Sequence, residues 1–351
     1  MVVRVPLGDD VDVSVVSWNS WGDLRDNLPA LVAQDYPSYK VVVVDNASTD
    51  ATADEVRARF PDVAVIRSPR NDGFGAANNL CFARSRSTYV AVLNPDARPE
   101  PGWLKALVRA LEANPGAALA TSKVLLASDA SRVNACGNTV HLSGIAYCRG
   151  LMRDQHEFVR DERVAAVSGA AFLARRDVLE EIGYFDERFF MYMEDTELSM
   201  RARLAGYDVV LAPRSRVAHD YEASVPPWKF FYLERNRFFL LVNLFRWRTL
   251  ALLAPALFVA EAGVWWFALR SGPRMAAAKA ASYIAVVRGF REMLRRRRRV
   301  QAVRRAGDRT LLDVMSSALP RAVDGSPPRL TTLADRYFAA YGWLLRRIVR
   351  W

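Results

Sequence analysis

Five short stretches gather the side chains capable of chemistry. "SWNSW" (17–21), "DNASTD" (45–50), "RNDGFGAANN" (70–79) and "NPDARPE" (94–100) each follow an apolar run, and "FMYMEDTELSMR" (190–201) holds adjacent carboxylates, Glu194 and Asp195. Asn, Asp, Ser and Gly are ordinary turn and cap formers, so each stretch alone has a bland reading. A helix cap needs one such residue, whereas these segment ends supply several apiece. Ligands of open α/β sheets bind beyond the carboxyl ends of the strands, which makes the first four stretches candidates for a single binding edge. Asp96, held in a proline turn, offers a ligand for a hard cation. A divalent ion bridging a diphosphate needs only one or two protein carboxylates. Glu194 and Asp195 follow an apolar-aromatic run and suit general-base work, while Glu197 reads as the i,i+4 partner of Arg201. His219 ends "SRVAH" and reads either as structural or as a further metal or phosphate ligand.

Elements that place these residues are legible from periodicity. Strands are expected at 12–17, 40–45, 63–67, 88–94 and 117–126, and helices at about 23–33, 51–59, 75–84 and from Pro101. Strand and helix in alternation imply βαβ units and a mostly parallel sheet, so the first four strand ends fall on one side. In "VVVVDNASTD" (41–50), Ser48 or Asp50 is expected to cap the next helix while Asp45 faces a ligand. Residues 127–164 read as a loop or small antiparallel insertion. A strand within 164–175, a short helix, a helix over Thr196–Ala205 and an edge strand at 208–212 follow. "GFGAAN" fails as a dinucleotide fingerprint, because Asn78 replaces the third glycine and the stretch follows the third strand.

The order and spacing of "SWN", "DNASTD", "RNDGFGAANN", "NPD", "SGAAFLARR", "GYFDERFFMYMEDTELSMR" and "GY" resemble the family 2 glycosyltransferases of GT-A fold, nearest the rhamnosyltransferase-like branch. The likeness runs from Val13 to His219 and continues weakly through "YLERNRFF". It implies an α/β, Rossmann-like sheet and inverting transfer of a sugar, rhamnose being one candidate, from a dTDP-, UDP- or GDP-linked donor. The acceptor it implies is a hydroxyl of a lipid-linked or cell-surface glycan. By the same resemblance Ser17, Asn19, Asp45, Asn46, Asn71, Gly73, Gly75, Asn79 and Asn94 line the donor site, and Arg235 reaches the diphosphate. Asp96, with His219 as an extra ligand, holds Mg²⁺ or Mn²⁺. Asp195, with Glu194 beside it, deprotonates the acceptor, and Ser168, Gly169 and Ala170 border that acceptor. One departure weakens the cation assignment: many relatives have Asp-x-Asp where this chain has Asn94-Pro95-Asp96. A non-catalytic sugar-nucleotide or glycan binder of the same fold is the alternative, and the intact carboxylates speak against it.

The remaining sequence forms a different kind of module. Residues 1–225 are expected to be the GT-A domain and 226–351 a helical, basic region bounded by Pro226 and Pro227. The net charge of +11 is localised: Arg270 to Arg309 hold thirteen basic residues against two acidic ones, a surplus equal to that of the whole chain. This places the basic character outside the sheet and argues against a nucleic-acid partner. Residues 249–269 contain one charge, Glu261, and as a helix would be roughly 32 Å long, enough to cross a hydrocarbon core. Pro255 and Glu261 argue against a clean span, which leaves an interfacial or re-entrant helix, a single span, or a buried core helix. Aromatic and basic flanks suit an anionic membrane surface. Three cysteines without a CxxC pair, and "MVVRVPLGDD" without a long apolar run, point to the cytoplasmic face.

Overall fold

The computed structural model describes residues 11–320 and 329–351; the N-terminal decapeptide on which the absence of a signal sequence was read lies outside the described residues. Strands β1 (Val11–Ser17), β2 (Tyr39–Asp45), β3 (Ala64–Arg67) and β4 (Tyr89–Leu93) alternate with helices α1 (Trp21–Val32), α2 (Thr52–Arg59) and α3 (Phe74–Phe82). Next come β5 (Ala97–Pro99), α4 (Trp103–Ala113), β6 (Ala117–Leu126), β7 (Val133–Ala135), β8 (Asn138–Val140), β9 (Ala146–Cys148) and β10 (Glu162–Arg163). β11 (Ala171–Arg175), α5 (Arg176–Ile182), α6 (Glu194–Leu204) and β12 (Asp208–His219) complete the sheet region. Helices α7 (Pro227–Leu244), α8 (Trp247–Arg270), α9 (Pro273–Arg288), α10 (Phe290–Ala302), α11 (Asp308–Val314) and α12 (Arg329–Ile348) follow.

The main sheet runs β10-β12-β6-β11-β4-β1-β2-β3, with β5 on β12 and β7 on β6. Its parallel pairs are β1–β2, β1–β4, β2–β3 and β6–β12, and β11 is antiparallel to both its neighbours. The valine-rich centres of β1, β2 and β4 are buried on both faces because helices cover both. α1 and α4 close one face over Val13, Val43 and Leu173. α3, α5 and α6 close the other over Val44, Val92 and Phe172.

Several boundaries depart from the periodicity. Of residues 164–175 only Ala171–Arg175 are strand, because the turn at 168–170 bends away to meet α6. α6 starts at Glu194 rather than Thr196, so both candidate carboxylates lie in its first turn, where the helix dipole favours negative charge. Pro101 precedes the helix, which opens at Trp103. The strand expected at 208–212 is longer and is not an edge: it continues past an irregularity between Ala212 and Arg216 to His219, flanked by β10 and β5. The N-cap position of α2 is Ala51, without a side-chain cap; Asp50 Oδ1 lies one residue earlier and accepts from the Thr52 amide at 3.0 Å, whereas the Ser48 hydroxyl turns to the Asn19 amide at 2.9 Å.

Glu197 and Arg201 do pair, but in the interior, both with no exposed surface. Arg201 also donates to the carbonyls of Ile182, Gly183 and Tyr184, fixing the entry to the loop before α6. Removing one partner of such a buried pair costs about 3–5 kcal/mol.

The C-terminal helices share a core with the sheet region. Phe189, Met193, Met200 and Leu204 pack with Phe239, Leu240 and Leu244 of α7 and Met293 and Val300 of α10. Part of the arginine run is structural: Arg297 donates to the Val242 and Phe245 carbonyls, and Arg296 lies 3.5 Å from Asp186. α8 is the one helix among the described residues long and apolar enough to cross a membrane. Little of it is buried, which argues against a core helix. Glu261 is satisfied from within the protein by Arg237, Lys279 and Tyr283, so the one charge in the apolar stretch turns towards α7 and α9. Phe258, Trp266 and Leu269 of α8 and Val287 of α9 are exposed.

Candidate active site

The ends of β1 and β2 are knitted together. Asn19, at φ 52°, presents its Oδ1 to the amides of Thr49 (2.8 Å) and Asp50 (3.4 Å). Asn46 donates to Asn71 Oδ1 at 2.8 Å and to the Gly73 carbonyl at 3.3 Å, joining the β2 end to the loop after β3. Asp45 and Ser17 are fully buried. Asp45 accepts from the Ser48 amide at 3.0 Å and pairs with Arg67 at 3.2 Å, so it organises the loops at the ends of β2 and β3. Gly73 sits at φ 90° with the Phe190 carbonyl against its α-carbon, and any Cβ there would collide with it. Asn79 is placed differently from its expected donor-lining role. Its amide bonds the backbone of Phe185 in both directions (3.1 Å each) and Glu187 Oε1 (3.1 Å), which ties α3 to the loop preceding α6.

Past β4, the Asn94-Pro95-Asp96 turn faces the end of β12. Asp96 Oδ1 lies 3.2 Å from His219 Nε2, and Asn94 Nδ2 lies 3.4 Å from the same nitrogen. On the far side of the ring, Nδ1 is 2.9 Å from Asn134 Oδ1. With Asn134 on Nδ1, the Nε2 atom is the one turned to the Asp96 carboxylate, an outer-shell arrangement also seen around metal-ligating histidines. Asp96 Oδ1 is buried without a hydrogen-bond donor. An unpartnered carboxylate oxygen facing an imidazole nitrogen is a donor set that fits a divalent cation. Asp23 of α1 is close enough to feel Asp96 and Asp220; burial first, then those charges, raises its pKa. The periodicity missed Asp23, Asp220 and Asn134. Asp23 reads as a first-turn helix acid, and Asn134 carries no local signal.

The carboxylate pair lies beyond β11. Asp195 Oδ2 accepts from the Gly169 amide (2.7 Å) and Asn138 Nδ2 (2.9 Å); Oδ1 accepts from the Thr196 amide (2.6 Å) and hydroxyl (3.1 Å). Burial raises its pKa, and these hydrogen bonds oppose that rise. Glu194 is pushed up to about 8, by burial first and then by the Asp195 charge, and its Oε2 has no hydrogen-bond partner. The donors around Asp195 favour its ionised form, so the pair's shared proton resides on Glu194. A neutral neighbour leaves Asp195 as the charged member of the pair. Ser168-Gly169-Ala170 connects this pair to the Asn94-Pro95-Asp96 turn: Gly169 donates to Asp195, and the Ala170 carbonyl accepts from the Asn94 amide at 2.9 Å. A Cβ on Gly169 would stand 3.2 Å from Asp195 Oδ2, which keeps that position small.

Arg235 is the residue placed farthest from its expected role. Its guanidinium donates to the carbonyls of Arg188 and Phe189 and to Asn236 Oδ1, and it packs against Phe231, Tyr232 and Phe239, rather than reaching towards Asp96. Asn138, which the periodicity left in a loop, instead supplies a hydrogen bond to Asp195.

A mostly parallel sheet reversed at β11 and at its short flanking strands β5, β7 and β10, a polar edge at the ends of β1 to β4 and a carboxylate at the head of α6 define the class: a nucleotide-sugar glycosyltransferase of GT-A fold. Residues 12–183, just under half of the chain, match the family model "Glycosyl transferase family 2", which with the relatives that follow supports a family 2, rhamnosyltransferase-like glycosyltransferase. N-acetylglucosaminyl-diphospho-decaprenol L-rhamnosyltransferase of Mycobacterium tuberculosis is 29% identical over 236 residues, 61% of this chain and 76% of that protein. Pre-mycofactocin glycosyltransferase of the same species is 26% identical over 224 residues, 64% of this chain and 45% of that protein. A mannosyltransferase structure from Pyrobaculum calidifontis, in complex with GDP-Man and Mn²⁺, is 20% identical with a TM-score of 0.52, covering 84% of this chain and 85% of that one. That structural likeness supports the fold.

Proposed function

We propose that the protein transfers a sugar, with L-rhamnose the first candidate, from a nucleotide-diphosphate donor to a hydroxyl of a lipid-linked glycan, with inversion. The observation that carries this reading is the three-residue bridge 168–170, which sets the ionised base Asp195 and the Asp96–His219 pair at its two ends. Asp195 takes the proton from the acceptor hydroxyl as its oxygen attacks the anomeric carbon, worth about 10²–10⁴-fold. Asp96 and His219 would hold Mg²⁺ or Mn²⁺, which supplies Lewis-acid neutralisation of the departing diphosphate. Asn19, Asn46, Asn71 and Gly73 hold the loops on which the nucleotide rests. Tyr192 and Trp228, with ring centroids 6.1 Å apart, offer apolar faces beside the base for an acceptor sugar. The rhamnose and lipid-diphosphate assignments come from the name of the mycobacterial relative.

We place the protein on the cytoplasmic face of the membrane, with the exposed aromatic and aliphatic side chains of α8 and α9 in the headgroup region. Arg298 and Arg299 face outward and would meet anionic lipid. The test is a thermal-shift panel of dTDP-, UDP- and GDP-sugars with Mn²⁺, followed by transfer to a polyprenyl-diphosphate-linked acceptor in anionic vesicles. One donor should stabilise strongly, by mass action, and be consumed only with acceptor present. Stabilisation without transfer would instead make the protein a sugar-nucleotide binder, and failure to float with the vesicles would remove the membrane placement.

A further inference from the structure

The loop from Ile182 to Met193, which delivers Glu194 and Asp195, is short of regular backbone partners. Its carbonyls are met mainly by side chains from other elements. Arg201 takes Ile182, Gly183 and Tyr184, and Asn79 takes Phe185. Its last turn is also strained: Phe190, Tyr192 and Met193 adopt φ of 63°, 66° and 70°, a left-handed region costly for bulky side chains. Such a conformation persists only where its surroundings over-determine it. Here that support comes from α7. Asn236, with no exposed surface, has its Nδ2 at 3.0, 2.9 and 2.8 Å from the carbonyl oxygens of Phe189, Met191 and Tyr192. Its Oδ1 accepts from Arg235 Nε (3.0 Å) and Nη2 (2.8 Å), so the arginine fork sets which way the amide faces. The same Nη2 donates to Arg188 and Phe189.

We propose that Asn236, oriented by Arg235, is the positioning residue for the catalytic carboxylates: it clamps the strained turn 189–192 so that Asp195 meets the Gly169 and Asn138 donors. This rests on Asp195 being the base. It gives "LERNR" a role in holding the base rather than the diphosphate, and makes α7 part of the catalytic unit although it lies beyond Pro226. The chemistry is a hydrogen-bond clamp. Asn236 needs two amide protons for the carbonyls and an acceptor for Arg235, a combination no carboxylate or aliphatic side chain supplies.

The test compares Asn236→Ala and Arg235→Lys with the wild-type full chain, measuring kcat, donor KM and the acid limb of the kcat–pH profile well below each melting temperature. Lysine keeps the charge but loses the fork. Asn236→Ala should lower kcat by roughly 10–100-fold, since a misplacement of about 1 Å is enough for that loss. Donor KM should change little, and the acid limb should move further up in pH as Asp195 loses the Gly169 and Asn138 hydrogen bonds that favour its ionised form. Arg235→Lys should shift the same two quantities less. If Asn236→Ala does not fold, Arg235→Lys alone decides. Unchanged kcat and acid limb in the folded variants overturn the proposal, as does a raised donor KM with kcat retained. Asp195→Asn is run in parallel: full activity there removes the base assignment itself, whereas an inactive Asp195→Asn beside wild-type-like Asn236→Ala and Arg235→Lys removes only the clamp.

Discussion

Asp195→Asn should reduce kcat by about 10²–10⁴-fold while the donor still binds. The amide removes the proton acceptor and creates a local conflict. Both Asp195 oxygens face N–H donors, from Gly169 and Asn138 on one side and Thr196 on the other. An NH₂ group in either orientation therefore meets a donor. The polar edge at β1 and β2, which we propose as the donor site, is built from other loops, so thermal stabilisation by the sugar nucleotide should survive. The wild-type pH profile carries the matching signature. Burial raises the Asp195 pKa, and only the ionised form can accept a proton. Activity should thus appear, as pH rises, above the range of an ordinary carboxylate, and disappear below it. Loss of donor affinity in Asp195→Asn, with kcat preserved, would move this residue into the donor site.

The second large effect is expected at Asp96. Asp96→Asn keeps the size of the side chain but removes the one charge facing His219 Nε2 across 3.2 Å. If Asp96 and His219 hold the divalent ion, kcat/KM should fall roughly 10²-fold or more, the scale of losing Lewis-acid help to a leaving diphosphate. The requirement for added Mn²⁺ or Mg²⁺ should also rise, and EDTA should stop the wild-type enzyme. With Asn94 in place of the first carboxylate of Asp-x-Asp, the cation depends on fewer protein charges than in many relatives. The variant should therefore be unforgiving. Wild-type transfer that ignores EDTA would remove the cation from this account.

The parallel half of the fold was legible because β1, β2 and β4 are covered on both faces and so read as unbroken valine-rich runs. Their ends were legible as a site because each carries more polar residues than a cap requires. Non-local hydrogen bonding was not legible. Asn79, Asn138 and Asn236 look alike in sequence, yet one locks a loop, one holds the base and one clamps a strained turn, over separations of 106, 57 and up to 47 residues. Arg235 was misread for the same reason, since a basic residue after a catalytic motif suggests phosphate until its carbonyl partners are seen. The arginine run misled by composition. Periodicity gives no sign that Arg296 and Arg297 turn inward while Arg298 and Arg299 stay outside. Glu261 looked prohibitive in an apolar helix because its partners, Arg237 and Lys279, come from α7 and α9.

If Asp195 is the single base and the Asp96 turn holds the diphosphate, as we propose, the site permits one displacement at the anomeric carbon. The central claim is therefore tested most directly by the anomeric configuration of the product, read by NMR from the sugar transferred by the wild-type enzyme. Inversion relative to the donor is the predicted result. Retention would require a second displacement, for which Asp195 as a base is the wrong assignment, and would contradict the account.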